Sequence, residues 1–380
     1  MIDGTAGTEH QGQIVAQYRK MNKWSREKLA EALHVDVSTV YRMERHSVIK
    51  NLKRRELLVG LLGIPAALIG LSDEPQTFIT SPVLNDDRMT FFEHEMASRW
   101  EVYHTGGTIR ANRGLDIWLK ETGNFAQASQ GTPWHERVLI ILAMSYQLQG
   151  SVTRDMMDYD KAHTAYQQAY RIAQELNSPE LIAAALARRG IAYIQQDKPE
   201  EAITYLQSAL NTINGLGLLS LRGYILQGLS EAQAKAQQKQ ACWQSIGLAE
   251  RVLERRIQFQ GRTQNLFSPS SVVAQRGVDA VLLHDYRRAI DLIDKSLLTY
   301  DPTYIRGRSR LIAQKAEAYY GLGLVDTSVI TAEEALTLGR SVGSNKTIAR
   351  VNNLYTAMTL SSWRNEPVVA RLGALLATSY

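Results

Sequence analysis

Between residues 17 and 55 the chain carries eleven lysines and arginines against four acids, a local charge of +7. All 380 residues together sum to only +5, so the remaining 341 are slightly acidic at −2. A basic block of this kind on a small N-terminal segment is the electrostatic footprint of a nucleic-acid-binding head. A solvated basic face would produce the same count. Other chemistry is poorly represented. The sequence holds no GxxxxGK[ST] phosphate loop, no GxGxxG, no HExxH and no GxSxG. Its eight histidines are scattered, and the nearest thing to a cluster is Glu93-His94-Glu95 with His104. On one helix, residues ten apart stand about 15 Å apart along the axis, too far to share a metal. The single cysteine, Cys242, excludes an intramolecular disulfide and reads as a small packing residue. Asn345-Lys346-Thr347 fits a glycosylation sequon and is read as chance. The expectation is a non-enzyme with no metal and no cofactor.

The elements that would position the basic block are helical. Composition is 44% hydrophobic and 21% charged, which excludes a wholly disordered chain, and few Pro and Phe against abundant Ala, Leu and Gln point to an all-α fold. Ile14, Val15 and Tyr18 share one face of a first helix. Ser25 is suited to cap a second, with Leu29, Ala30 and Leu33 at helical spacing. His34-Val35-Asp36 makes a tight turn. A third helix follows from about Val37 to Arg45, with Asp36 as its cap and Val40 and Met43 facing inward. Two short helices joined by so short a turn form a helix-turn-helix arrangement, and Ala30 supplies the small side chain that their crossing needs.

The string WSREKLAEALHVDVSTVYRMER resembles the helix-turn-helix of the Xre/Cro-type phage-repressor family at Ser25, Glu27, Leu29, Ala30, Leu33, Val35, Ser38, Thr39, Arg42, Glu44 and Arg45. It departs at Arg26 (usually Gln), His34 (usually the turn Gly) and His46 (usually the closing Gly). The resemblance implies that the third helix enters the major groove of double-stranded DNA. Val37, Ser38, Thr39, Tyr41 and Arg42 would then face base edges. Arg42 can bridge guanine O6 and N7, and Val37 suits a thymine methyl. Lys23, Arg26, Lys28 and Arg45 would hold phosphates. The resemblance also pairs Arg19 with Glu44 as a structural ion pair.

The body of the chain repeats. Small residues recur at Ala162, Ala202, Ala241, Ala289 and Ser328, at intervals of 40, 39, 48 and 39. Each is preceded by an apolar helix with its own small residue, as at Gly190/Tyr193, Gly277/Ala280 and Ala316/Tyr319. This resembles the tetratricopeptide repeat, best at 183–213 and least at 221–255, which implies a superhelical α-solenoid of paired helices. Units of about 40 residues exceed the usual 34 or so, and 153–158 and 259–269 read as insertions. The expected division is therefore a DNA-binding head at 1–50, an apolar connector helix and linker at 51–87, and a solenoid at 88–380. The clearest units are 134–177, 183–213, 220–255, 270–300 and 308–340. Residues 88–125 read as an atypical first hairpin, 346–379 as the last, and 72–87 as a Pro-containing linker. The apolar run 57–71 has fifteen residues interrupted by Gly60, Gly63, Pro65 and Gly70, short of the roughly 20 of a spanning helix. It reads as a buried connector, with a membrane-surface contact or a relic of targeting as alternatives. Residues 1–13 carry no secretory signal.

A phage-repressor-type head joined to such a solenoid resembles the peptide-pheromone receptors of Gram-positive bacteria. That resemblance implies a cytoplasmic, homodimeric transcriptional regulator in which a short peptide or protein partner, held in the solenoid, changes dimer geometry or DNA affinity. The rival reading is a non-catalytic scaffold whose head docks to protein. In the repeat pattern the first helix of each hairpin lines the inner wall. Counting from the crossing residues puts Arg222, Ser230 and Gln233 of one unit, and Arg310, Glu317 and Tyr320 of another, on the ligand groove. Arg and Gln offer several donors for a peptide backbone and its terminal carboxylate, and Tyr320 can cover an apolar side chain while its hydroxyl stays bonded.

Overall fold

The computed structural model describes residues 11–46, 49, 51–64, 69, 85–105, 107–255 and 267–378. The chain divides into two compact units, Met1–Pro82 and Val83–Tyr380. The described residues form helices and contain no strand.

The first unit holds α1 (Gln11–Met21), α2 (Arg26–Ala32), α3 (Val37–Arg45) and α4 (Leu52–Leu62). Ser25 caps α2 by accepting a hydrogen bond from the Lys28 amide at 3.1 Å, satisfying one of the helix's free donors. His34 takes the left-handed conformation, φ 52°, that the turn requires. Asp36 occupies the N-cap position of α3, but its carboxylate makes no capping bond. Its backbone carbonyl accepts from the Thr39 amide at 2.8 Å instead. His46 ends α3 in an extended conformation, φ −87° and ψ 139°, so no glycine is needed there. Ile14, Val15, Leu29, Ala30, Val40 and Met43 form the core.

The apolar run contributes to that same core. Its helix begins at Leu52 and ends at Leu62 under a left-handed Gly63, instead of spanning 57–71. Leu58, Leu62, Ile64 and Ile69 are buried with α1–α3, and Asn22 donates to the Leu62 carbonyl at 2.8 Å. Residues 65–68 and 70–84 lie outside the described residues, including most of the expected linker. No helix among the described residues is long and apolar enough to cross a membrane.

Gly12 lets α1 approach α3. A Cβ there would lie 2.4 Å from the Met43 carbonyl oxygen, an atom of the backbone that cannot swing aside. Gly12→Ala is expected to cost the head roughly 1–3 kcal/mol by overpacking. Hydrogen exchange of α1 and α3 in the full chain measures this, and unchanged protection of both helices would refute the close-approach account.

The second unit opens with α5 (Asp86–Thr105), α6 (Thr108–Asn112) and α7 (Leu115–Ala128), where the sequence suggested one hairpin. Six antiparallel pairs follow: α8 (His135–Asp155) with α9 (Tyr159–Glu175), α10 (Pro179–Gln195) with α11 (Pro199–Thr212), α12 (Leu219–Lys235) with α13 (Lys239–Glu254), α14 (Pro269–Leu282) with α15 (Tyr286–Thr299), α16 (Ile305–Gly321) with α17 (Val325–Ser341), and α18 (Asn345–Thr359) with α19 (Pro367–Ala377). Residues 153–158 are the end of α8 and a tight turn through left-handed Met157, not an insertion. Of the second expected insertion, 259–266 lie outside the described residues, and Phe267 is buried.

The pairs cross at small residues. A Cβ on Gly190 would meet the Leu206 side chain at 2.8 Å, and one on Gly277 would meet Ile293 at 2.7 Å. Ala162, Ala202, Ala289 and Ser328 are buried on the second helices, whereas on α13 the buried small residue is Cys242 and not the expected Ala241, which is half-buried. Ser328 donates to the Ala316 carbonyl at 2.7 Å. The solenoid curls until its first and later turns touch. Arg306 of α16 forms an ion pair with Asp155 of α8, and the Tyr304 ring lies 6.3 Å from His104 of α5.

Candidate nucleic-acid interface and inner cavity

Helix α3 divides cleanly into two faces. Val40, Met43 and Glu44 point inward, while Val37, Ser38, Tyr41, Arg42 and Arg45 are exposed and Thr39 is half-buried. The exposed positions recur at helical spacing, so they lie along one side. Arg42 donates weakly to the Thr39 hydroxyl at 3.4 Å and is otherwise open to solvent. Tyr41 is held in place by its neighbours. Arg45 donates to its hydroxyl at 2.7 Å, and the guanidinium groups of Arg26 and Arg45 lie 5.2 and 5.3 Å from its ring centre. Lys28 is exposed, with its ammonium 4.6 Å from the Trp24 ring centre.

Glu44 anchors this face from behind. Arg19 Nε donates to Glu44 Oε1 at 2.6 Å, and both side chains are almost fully buried. Arg26 Nε reaches Oε2 of the same carboxylate at 2.8 Å. Burial pushes the Glu44 carboxyl up, but the hydrogen bonds from Arg19 and Arg26 outweigh it and leave it below its ordinary value. Arg26 is thereby tied to the α3 carboxylate and the Tyr41 ring, which positions the helix. Its side chain remains 41% exposed, so the phosphate contact expected from the sequence is compatible with this pairing.

In the second unit, first helices of successive pairs, together with α5, surround a cavity of about 210 Å³. Residues 188, 191 and 195 of α10, 224, 227 and 231 of α12, and 346, 347 and 350 of α18 show the inward spacing. Six cations line the wall: Arg154, Arg188, Arg306, Arg310, Lys346 and Arg350. Asp155 and Glu231 are the acids among them. Aromatic rings of Trp100, Tyr103, Tyr224, Tyr300 and Tyr304 fill the remaining wall. Asp155 serves both Arg306 and Arg154, the latter at 3.2 Å, and accepts from the Tyr103 hydroxyl at 3.0 Å. Burial pushes the Asp155 carboxyl up, yet Arg306, Arg154 and Lys346 together hold it at about 2. Arg306 also stacks on Tyr103, 3.7 Å from the ring centre. No group of three or more His, Cys, Asp or Glu among the described residues could hold a metal ion.

Against known families, residues 15–69 match the helix-turn-helix model. The head is a helix-turn-helix domain. Residues 141–213 match the tetratricopeptide repeat model, so the paired helices of the second unit include tetratricopeptide repeats. No curated protein matches the chain. Among solved structures, BtubC (BKLC) from P. vanneervenii is similar over 60% of this chain and 92% of its own, at 15% identity and a TM-score of 0.43. Bacillus thuringiensis PlcR, in complex with the peptide PapR7 and DNA, is similar over 90% of this chain and 99% of its own, at 14% identity and a TM-score of 0.38.

The inner cavity takes in one of the six groove residues singled out in the sequence. Arg310 lines it, 3.8 Å from Glu231. Ser230 and Gln233 are buried between helices instead: Ser230 donates to the Gln227 carbonyl at 2.9 Å, and Gln233 accepts from Ser245 at 2.7 Å. Arg222 does not line the cavity. Glu317 does not line it but pairs with the lining Arg350 at 2.6 Å, and Tyr320 donates to the Ala357 carbonyl at 3.1 Å. The cavity's other cations were missed. Their signal was present as Arg306/Arg310 and Lys346/Arg350, basic pairs four residues apart on the first helices of consecutive units.

Proposed function

We propose that this chain is a sequence-specific DNA-binding transcriptional regulator. Its helix-turn-helix reads an operator through α3, and its repeat solenoid takes up a ligand that sets dimer geometry or DNA affinity. The observation that carries the reading is the exposed, basic face of α3 on a helix-turn-helix domain. Val37, Ser38, Tyr41 and Arg42 stand out from the domain there while Glu44, Arg19 and Arg26 hold the helix from within. Arg42 and Ser38 address base edges, with half-buried Thr39 beside them, and Lys28 and Arg45 address phosphates. The inner cavity is the place for the ligand; the two-part architecture suggests a peptide or protein segment, and the cavity's own size and charge are a separate ground for the ligand's class.

Arg42→Ala is expected to cost about 1–3 kcal/mol on the preferred operator and to relax the preference at one base position. Lys28→Ala is expected to weaken specific and random DNA alike and to reduce the salt slope by about one. Fluorescence anisotropy with both duplexes separates the two. Equal losses for the two variants on both duplexes would show that α3 is not the reading helix. One head covers a half-site, so operator binding calls for a dimer on two half-sites about 34 Å apart. Light scattering of the full chain on operator DNA tests this, and a monomer on DNA would contradict it.

A further inference from the structure

We infer that the inner cavity of the repeat domain is a binding site for a compact small molecule with at least two negative charges, anchored by Lys346, Arg310, Arg350 and Arg154. The inference rests on the reading of this cavity as the ligand site and names the chemistry of its ligand. Charge is the first ground. Among the described residues, Asp155, Glu231 and, through its pair with Arg350, Glu317 are the acids that face the five lining cations Arg154, Arg306, Arg310, Lys346 and Arg350. Asp155 is shared between Arg154 and Arg306, Glu317 is taken by Arg350, and Glu231 approaches Arg310 only to 3.8 Å. Lys346 makes no hydrogen bond or ion pair among the described residues. A partly desolvated wall with this surplus of like charge is unfavourable until counter-charge enters it.

The state of Lys346 agrees with that. Burial lowers its ammonium well below the usual lysine range, Glu231 opposes the shift, and Arg310, Arg154 and Arg350 add to it. An entering dianion supplies the missing counter-charge and shifts the ammonium back toward its ordinary range. The arginines can bind its oxygens through paired N–H groups, which suits carboxylate and phosphate alike.

Size is the second ground. Pockets for drug-sized ligands run from about 300 to 1,000 Å³, and this cavity is about 210 Å³. It accommodates a compact anion better than an extended peptide. The rings of Tyr224, Tyr300 and Tyr304 leave room for such a ligand to carry a small planar or apolar part.

The test is calorimetric titration of the full chain with pyrophosphate and, separately, with citrate, at matched ionic strength. Saturable one-site binding of either supports the inference. Pyrophosphate alone would identify a phosphate ligand, citrate alone a polycarboxylate. Lys346→Met combined with Arg310→Met should weaken binding roughly tenfold or more, while Arg171→Ala on exposed α9 surface should leave it unchanged. Lys346→Met alone should keep or raise the melting temperature of the unliganded chain, because it removes a like charge from the crowd. No binding of either anion, undiminished binding by the double variant, or a lowered melting temperature for Lys346→Met would overturn the inference. Operator DNA binding, measured on the same samples, keeps the two readings apart. Anion binding without it would remove the regulator reading alone, and its persistence without anion binding would remove this one.

Discussion

Glu44→Ala is expected to destabilise the helix-turn-helix head by about 3–5 kcal/mol, because it leaves the buried Arg19 guanidinium with no counter-charge. Arg19 and Glu44 are both almost fully buried and 2.6 Å apart, and Arg26 depends on the same carboxylate. The variant therefore frees three groups at once: Arg19, Arg26 and, through Arg26, the Tyr41 ring. Hydrogen exchange of α1–α3 in the full chain reads the loss, and DNA affinity should fall with it. Glu44→Gln should lose less, since its amide oxygen still accepts from Arg19. The wild type should show the same dependence on pH. The folded-state Glu44 carboxyl lies below its ordinary 4.5. Its contribution is thus complete above that pH and disappears as pH falls through the lower folded value. Intact protection of α1 and α3 in Glu44→Ala would show that the pair does not hold the head together.

Asp279→Asn is expected to stabilise the repeat domain, by an amount that grows as pH rises. Asp279 on α14 is fully buried, and the Gln275 amide donates to its Oδ1 at 2.8 Å. Burial, with a smaller push from the Glu231 charge, raises the carboxyl to about 8, against hydrogen bonds from Gln275, Ser230 and Cys242 that favour the charged form. Unfolded, the same group titrates near 3.8. Its favourable protonated state is therefore fully present below about pH 4 and is lost as pH rises towards 8. A carboxylate forced to ionise in this site costs several kcal/mol, and the isosteric amide avoids it. Thermal melts at pH 5 and pH 9 should show the gap between Asn variant and wild type widening at the higher pH. A gap of equal size at both would mean that Asp279 does not titrate across this range.

The head was legible because its determinants are local. Ser25, the Leu29/Ala30/Leu33 spacing and the turn at His34 are contiguous in sequence, and capping and helical periodicity translate them directly into α2, the turn and α3. The repeats were legible from their small residues, since Gly190, Ala202, Gly277 and Ala289 must stand where two helices meet. Unit boundaries were harder. The turns place Asn177, Asp197, Gln237 and His284 in the left-handed region, where glycine would have announced the turn, so tight turns and insertions looked alike. The reach of the head was obscured for a related reason. The apolar run reads as a connector until Leu58 and Leu62 are seen against α1–α3.

The cavity was the least legible part. A one-residue error in register rotates a side chain by about 100°, enough to move the α12 reading from the inward 224/227/231 row to buried Ser230 and Gln233. The wall also depends on curvature. Arg154 and Arg306 stand 152 positions apart in sequence and meet over Asp155 only because the solenoid turns back on itself. Pairwise repeat matching carries no information about that closure.

The most direct test of the regulator reading is selection of duplex DNA from a random pool by the full chain, followed by affinity for the selected and a scrambled duplex across a salt series. A specific regulator should enrich one motif and prefer it by roughly 10³-fold or more, with log affinity falling linearly with log salt. Arg42→Ala should lower that preference by roughly 5- to 150-fold, through one base position, while Lys28→Ala keeps it. Failure to enrich any motif, or equal affinity for selected and scrambled duplexes at every salt concentration, would contradict the account.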